Sequence, residues 1–237
     1  EFEDHDMRMS LEYNSDNVSM LPSIINTVGM TLLSLVIAGP LGILAAVYLV
    51  EYAKKGNKLV SVVRVTAETL TGIPSIVYGL FGMLFFVTAL QWGYSMLAGA
   101  FTLAIMVLPV IMRTTEEALL AVPDMYREAS FGLGAGRLRT IFVVILPSAV
   151  PGILSGVILA IGRIVGETAA LMYTAGTVAE MPKSVMSSTR TLSVHMYTLA
   201  SEGLHIDAAY ATAVVLLVVV LFINWVSGRV AKMIKKG

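Results

Sequence analysis

The stretch EASFGLGAGRLRTIFVVILP, residues 128–147, decides the fold of this chain. It opens with Glu128-Ala129-Ser130, reaches Gly134 after three further residues, and closes with VILP at 144–147 after nine more. The opening is polar and rich in glycine, whereas long stretches before and after it are strongly apolar. A polar connection of this kind between apolar segments indicates a structured loop at a membrane surface.

Long uncharged runs define the class of protein. Apolar residues make up 57% of the chain, charged residues only 14%, and the mean hydropathy is +0.81. Four runs carry no charged residue, at 17–50, 69–112, 140–162 and 208–228. A spanning helix needs about 20 apolar residues, so the run at 69–112 is long enough for two. We therefore predict five spans, at about 21–50, 72–90, 94–113, 148–173 and 207–229.

The distribution of positive charge predicts the orientation. Of the 16 basic residues, 12 fall in the loops 51–71 and 113–140 and in the tail after 228, all on one side of the predicted bundle. These are Lys54, Lys55, Lys58, Arg64, Arg113, Arg127, Arg137, Arg139, Arg229, Lys232, Lys235 and Lys236. Because basic loops stay in the cytoplasm, residues 113–140 should be cytoplasmic and residues 174–206 should lie outside.

The stretch also predicts a short helix that can dock on a partner. Pro123 and Asp124 are typical of a helix start, where an aspartate is able to cap exposed backbone N–H groups. The segment that follows has an apolar face, and Gly132, Gly134 and Gly136 allow a sharp turn after it. A short amphipathic helix of this type suits a groove on another protein.

In spacing and setting, residues 128–147 resemble the EAA loop (E-A-A-x3-G-x9-I-x-L-P) of permease subunits in binding-protein-dependent ABC importers. Ser130 replaces the second alanine of the pattern and Val144 replaces its isoleucine. Both residues are similar in size and character to the residues that they replace. The resemblance implies an all-α polytopic bundle of the MetI-like type, with a transmembrane domain at 21–230 and a cytoplasmic coupling loop at about 116–147. It also implies that the ATPase-coupling residues are Glu128, Ala129, Gly134, Leu146 and Pro147.

The ends of the chain carry two further expectations. The resembling family usually has six spans, whereas five spans place the N-terminus outside. Residues 1–20 are acidic and lack the apolar core of a signal peptide, so we expect an extracytoplasmic segment there. The simplest account is a first span before Glu1 that was removed or is not represented. Residues 231–237 should form a cytoplasmic tail.

A second informative stretch, LSGVILAIGRIVGETAALMY at 154–173, carries two charges inside an apolar segment. Arg163 and Glu167 are four residues apart and would share a face on a continuous helix. Ionisable groups within a span are costly and usually face a bundle interior or a water-filled path. Arg163 would lie near mid-span if Pro147 and Pro151 mark the cytoplasmic interface, or near the outer surface if the span began at Thr140.

This stretch resembles the phosphate importer permeases, as do GIPSIVYGLFG (72–82) and LPVIMRTTEEAL (108–119). GETAALMYTAGT and YATAVVLLVVVLFIN resemble the PstA type more than the PstC type. The resemblance implies that Arg163 meets phosphate in the pathway with Glu167 as its charge partner; the alternative is a static ion pair. The implied partners are a PstC-type permease subunit, a PstB-type ATPase dimer and a PstS-type extracellular phosphate-binding protein, in a prokaryotic plasma membrane.

Several residues outside these stretches allow more than one interpretation. Pro74 is either an ordinary first-turn proline or a gating hinge. Arg64 and Glu68 have the spacing of a helical pair on a solvated face. Arg113, followed at short range by two glutamates at 116 and 117, is either part of an ion network or the polar end of a helix.

Other functions remain open or are disfavoured. The cargo could instead be molybdate, sulfate or an amino acid. An ATP-independent carrier should show two matching halves, which the sequence lacks. Ser193 and His195 are two residues apart and outside the predicted spans, so they do not suggest an intramembrane enzyme. His195 and His205 lack metal-ligand spacing, and we expect no catalytic residue, metal or cofactor in this chain. Without a phosphate-binding G-x4-G-K-[ST] loop, ATP and Mg²⁺ should belong to the partner ATPase.

Overall fold

The computed structural model describes residues 19–54, 56–203 and 206–236, and all regular structure within these ranges is helical. The first span is α1 (Leu21–Val47), which continues through a wider π-helical turn, Tyr48–Tyr52. It is followed by α2 (Lys58–Thr71) and by α3 (Ser75–Gly82), which ends in a π-helical stretch, Met83–Ala89. The long helix α4 occupies Met96–Leu120.

The second half of the chain begins with a short helix, α5 (Asp124–Gly132). One continuous rod then combines α6 (Arg137–Thr140), a π-helical turn (Ile141–Ile145) and α7 (Leu146–Val165). Two shorter helices, α8 (Ala169–Met172) and α9 (Leu192–Glu202), precede the last helix, α10 (Ile206–Lys236). The expectations for residues 1–18 and for His205 lie outside the described residues.

The count of five spans is confirmed within the described ranges. Four helical segments are long and apolar enough to cross a membrane: Leu21–Tyr52, Met96–Leu120, Arg137–Val165 and Ile206–Val226. The count reaches five when α2 and α3, which are bent by 103° at the connection between them, are counted together as one span. Pro74 directly precedes α3, and its lack of an N–H group prevents α2 from continuing.

Helix α4 forms the centre of the bundle and packs on α1 and on α7 through small residues. A Cβ atom on Gly152 of α7 would lie 2.5 Å from the Cβ of Ala118. A Cβ on Gly156 would likewise lie 2.7 Å from the Cβ of Thr114. Glycine at these two positions therefore lets the two antiparallel backbones approach closely. The pairs also fix the register between α4 and α7.

The predicted bounds of the fourth span, 148–173, are wrong at both ends. The helix begins earlier because Pro147 falls in the first turn of α7, where no backbone N–H is needed, directly after the π-helical turn. It ends earlier, at Val165, where Gly166 closes the helix with φ of −84° and donates its N–H to the Gly162 carbonyl. The second span similarly begins at Ser75 rather than at 72.

Candidate functional site

The predicted docking helix exists as α5, at the end of the bundle that the charge pattern assigns to the cytoplasm. Pro123 immediately precedes the helix, but no side chain caps its first turn. The capping role predicted for Asp124 is therefore wrong. Its carboxylate instead accepts a hydrogen bond from Arg127 Nη1 at 3.1 Å. The position still favours helix formation, because a negative charge in the first turn complements the helix dipole.

Large apolar side chains on and after α5 are exposed. The exposed fractions are 68% for Met125, 48% for Phe131 and 90% for Leu133. Glu128 and Ala129, two of the predicted coupling residues, are exposed on the same helix. Apolar side chains projecting from a short helix are typical of a protein interaction surface. We call α5 and Leu133 the coupling helix surface.

Gly134 ends this surface with a turn that requires glycine. Its φ is +82°, in the left-handed region that side-chain-bearing residues rarely adopt. Its N–H donates to the Phe131 carbonyl at 2.9 Å, and the following N–H, of Ala135, donates to the Ser130 carbonyl at 3.1 Å. Neither Gly132, inside the helix, nor Gly136, with φ of −72°, needs this conformation. Of the three predicted turn glycines, only Gly134 is used in this way.

The serine that departs from the EAA pattern has a partner. The Ser130 hydroxyl lies 2.8 Å from the Thr140 hydroxyl, and both residues are buried. This hydrogen bond joins α5 to α6.

Leu146 and Pro147, the other predicted coupling residues, lie further along, at the start of α7, where Leu146 packs against buried apolar side chains and Pro147 is exposed. The two residues directly after them, Ser148 and Ala149, line a cleft together with Tyr126 of α5. The coupling role of Leu146 and Pro147 stays a prediction.

Arg127 attaches α5 to the rest of the bundle. Its Nε and Nη2 donate to the Glu51 carboxylate at 3.1 and 2.8 Å. Its remaining hydrogen bonds reach the Leu119 carbonyl (3.0 Å), the Val122 carbonyl (2.9 Å) and Asp124 (3.1 Å). These five bonds match the five N–H donors of a guanidinium group. The Arg127 and Glu51 side chains are only 15% and 9% exposed.

A second arginine reaches the same part of α1. Arg137 Nη2 donates to the Glu51 carbonyl, and its guanidinium lies 5.0 Å from the ring centroid of Tyr52. Both arginines therefore bind the π-helical turn that ends the first span. Sequence reasoning missed Glu51 because it is 76 residues from Arg127. One signal was present: Glu51 is the first charged residue after the uncharged run 17–50.

Charged side chains also line a cleft of about 280 Å³ between α2 and α4. Arg64 pairs with Glu116 at 2.5 Å, so the predicted pairing of Arg64 with Glu68 is wrong. Glu68 instead lies 3.6 Å from Arg113, which also pairs with Glu117 at 3.2 Å. For Arg64 the partner lies on the facing helix, whereas Arg113 has one partner on the facing helix and a closer one on its own. Of the two glutamates predicted for the Arg113 network, Glu117 pairs with Arg113, whereas Glu116 pairs with Arg64. The pairs of Arg64 with Glu116 and of Arg113 with Glu68 join α2 to α4.

Arg163 occupies the last turn of α7 and is half-buried. No ion pair or hydrogen bond to it is present within the described ranges, although its charge lies within electrostatic range of Tyr78 on α3. A Cβ atom on Gly162, the residue before it, would meet nothing within 4 Å. This guanidinium is consequently available to a ligand.

Glu167 does not share a helix face with Arg163, so that prediction is wrong. The helix ends at Val165, and Glu167 lies in the connection to α8. Its carboxylate accepts a hydrogen bond from the Ala170 N–H at 3.1 Å, and its carbonyl accepts one from the Ser193 hydroxyl at 2.7 Å. Glu167, only 8% exposed, thus organises the segment after α7.

The packing of α7 on α4 sets the level of Arg163 relative to α4. Gly156 faces Thr114. Arg163 lies seven residues after Gly156. Because α4 runs in the opposite direction, the residue of α4 at the same level lies seven residues before Thr114, which is Val107. Val107 is near the middle of the uncharged part of α4, 96–112, at roughly 9 Å from Arg113 by helical rise. The register thus places Arg163 level with Val107, whereas the continuous helix Arg137–Val165 places it two residues from the end of its span, as in the alternative with a span that begins near Thr140. The depth of Arg163 stays a prediction.

A bundle of apolar spans with an exposed amphipathic helix at one end is typical of a transport subunit. The chain belongs to the family described as binding-protein-dependent transport system inner membrane component, which matches residues 38–236. It is thus a multi-pass permease subunit of the prokaryotic plasma membrane, as the EAA-like spacing predicted.

Relatives in sequence and structure agree with this assignment. The chain is 37% identical to the probable ABC transporter permease protein YqgI of Bacillus subtilis over 227 residues, 89% of this chain and 77% of that protein. It is 35% identical to the phosphate transport system permease protein PstA 2 of Mycobacterium tuberculosis, over 87% of this chain and 72% of that protein. The fold matches a chain of the MetNI methionine ABC transporter in an inward-facing conformation, with a TM-score of 0.68 and 22% sequence identity. The match covers 91% of this chain and 94% of that one. The predicted MetI-like fold is confirmed.

Proposed function

We propose that this chain is the permease subunit of an ATP-driven importer of inorganic phosphate and forms half of the transmembrane pathway. The observation that carries the proposal is Arg163, a permanently charged group in the last turn of a spanning helix, half-buried and without an ion-pair partner among the described residues. Guanidinium groups match phosphate oxygens in geometry and charge. The phosphate transport role named for the mycobacterial relative supports this cargo.

The site should bind phosphate weakly. One guanidinium cannot replace all the water around a phosphate anion, so desolvation opposes tight binding. Weak binding favours transport because a tightly held substrate would not leave the pathway. Glu167 contributes by ordering the segment beside Arg163 and by adding a negative charge that favours release of the anion. Selectivity would then depend largely on the extracellular binding protein.

ATP hydrolysis would occur in the partner ATPase, which binds ATP and Mg²⁺. The coupling helix surface supplies the contact, because Met125, Phe131 and Leu133 would fill a groove on the ATPase and Glu128 and Ala129 would border it. The full assembly would contain this chain, a PstC-type permease subunit, two PstB-type ATPase subunits and a PstS-type phosphate-binding protein. The loops on the outer side, within 174–203, would receive the binding protein.

The experiment is ATP hydrolysis by the reconstituted complex, measured with binding protein and a panel of solutes. Phosphate should stimulate hydrolysis, whereas sulfate, molybdate and amino acids should not. Stimulation by one of the other solutes and not by phosphate would support the alternative cargo and overturn the phosphate assignment. Absence of stimulation by any solute, in a complex shown to contain all subunits, would contradict the importer assignment itself.

A further inference from the structure

We infer that Glu51 is a positioning residue that transmits movement of the coupling helix surface to the first span. The inference rests on the proposed function, because it assumes that α5 receives force from an ATPase. Glu51 touches neither the exposed face of α5 nor the surroundings of Arg163. Its role follows from the two arginines that bind it, one inside α5 and one after it.

The attachment is specific to one short segment of α1. Arg127 binds the Glu51 carboxylate, and Arg137 binds the Glu51 carbonyl and stacks over Tyr52. A displacement of α5 must therefore move these residues or break a buried ion pair. Breaking a buried pair is strongly unfavourable because each charge loses its partner in a low-dielectric environment.

The same arginine also connects α5 to the end of α4. Arg127 donates to the Leu119 carbonyl at 3.0 Å and to the Val122 carbonyl at 2.9 Å. The two residues that accept these bonds lie just before α5 in sequence, and the bonds would persist if Glu51 lost its charge. Glu51 thus supplies a separate link, which joins the coupling helix to the first span rather than to the helix that directly precedes it.

The π-helical turn makes this part of α1 suitable for receiving movement. A π-helical turn has a wider hydrogen-bonding pattern than an α-helix and is often found at functional sites. Glu51 and Tyr52 are the last residues of the turn, and the Ala53 N–H closes it on the Tyr48 carbonyl. Movement of Glu51 would consequently act on α1 at its cytoplasmic end, from which the helix crosses the whole bundle.

The test uses Glu51→Gln in the full complex of permease subunits, ATPase and binding protein. Glutamine keeps the shape and an acceptor oxygen but removes the charge. The measurement is phosphate taken up per ATP hydrolysed, which should fall by roughly threefold or more while ATPase co-purification is unchanged. Glu117→Gln is the matched control: Glu117 also pairs with an arginine, Arg113, but lies outside the coupling helix surface and is 65% exposed, and its loss should leave the ratio unchanged.

The outcomes separate the inference from the proposed function. An unchanged ratio in Glu51→Gln, with normal phosphate-stimulated hydrolysis, would overturn the inference alone. Absence of phosphate stimulation in the wild-type complex would contradict the proposed function instead. If Glu51→Gln does not assemble, Glu51→Asp is measured, since it keeps the charge but shortens the reach; a reduced ratio supports the inference. Failure of both variants to assemble would make Glu51 purely structural and overturn it.

Discussion

Glu167 directs its carboxylate to the backbone N–H of Ala170, at 3.1 Å, and not to Arg163 four residues earlier. Gly166 lies between them and ends α7, so the two charged residues belong to different local structures. Each therefore has its own role. Glu167 orders the connection to α8, while Arg163, which has no ion-pair partner among the described residues, remains available to a ligand. Substitutions at the two positions should have separable effects.

Replacing Arg163 should abolish most transport without preventing assembly. Hydrogen bonds to charged groups contribute about 1.5–3 kcal/mol, which corresponds to a loss of roughly ten- to a hundredfold in Arg163→Ala. Arg163→Lys should recover little, because lysine keeps the charge but loses the planar fork. The measurement is uptake of labelled phosphate by complexes whose subunit content has been checked.

A double variant distinguishes a pathway role from a structural one. If Arg163 only balanced the charge of Glu167, then Arg163→Leu with Glu167→Leu should restore uptake. The pathway role predicts an assembled but inactive double variant. Near-wild-type uptake by that variant would contradict the pathway role.

Gly134→Asp should abolish coupling without preventing membrane insertion. A residue with a side chain at φ of +82° costs roughly 1–2 kcal/mol, and the charge would also disturb the interface. Gly136→Ala is the control, since Gly136 lies after the coupling helix surface, has φ of −72° and would carry a Cβ that meets nothing within 4 Å. The measurement is retention of the ATPase in a pull-down. Normal retention and wild-type transport in Gly134→Asp would show that this turn is not part of the coupling surface.

Gly82→Val should destabilise the bundle. A Cβ atom on Gly82 would lie 2.7 Å from Thr174 Cγ2 and would also collide with the Thr102 side chain. Overpacking of this kind typically costs about 1–3 kcal/mol. The matched variant Gly162→Val, also within a helix, has open space and should remain stable. Thermal unfolding in detergent provides the comparison, and equal midpoints for the two variants would contradict the packing described here.

The topology can be tested with single cysteines, because the chain has none of its own. Leu133, 90% exposed, should label from the cytoplasmic side, and Lys183, also exposed, from the outer side. Both positions lie outside the helices, so substitution should be tolerated. Labelling of both positions from the same side by an impermeant reagent would overturn the orientation.

The spans and the docking helix were predictable from sequence, whereas the connections between distant segments were not. Uncharged runs of sufficient length determine spans, and the polar stretch before Gly134 determines α5. By contrast, the pairing of Arg127 with Glu51 joins residues 76 positions apart, and local spacing contains no information on it.

The central claim is that phosphate passes through this subunit only when the ATPase engages the coupling helix surface. The most direct measurement is labelled phosphate accumulation in proteoliposomes that contain the whole complex, with ATP inside and binding protein outside. Wild type should accumulate phosphate in an ATP-dependent manner, and Phe131→Asp, which places a charge on that surface, should not. Accumulation that is equal in wild type and Phe131→Asp, or that proceeds without ATP, would contradict the account.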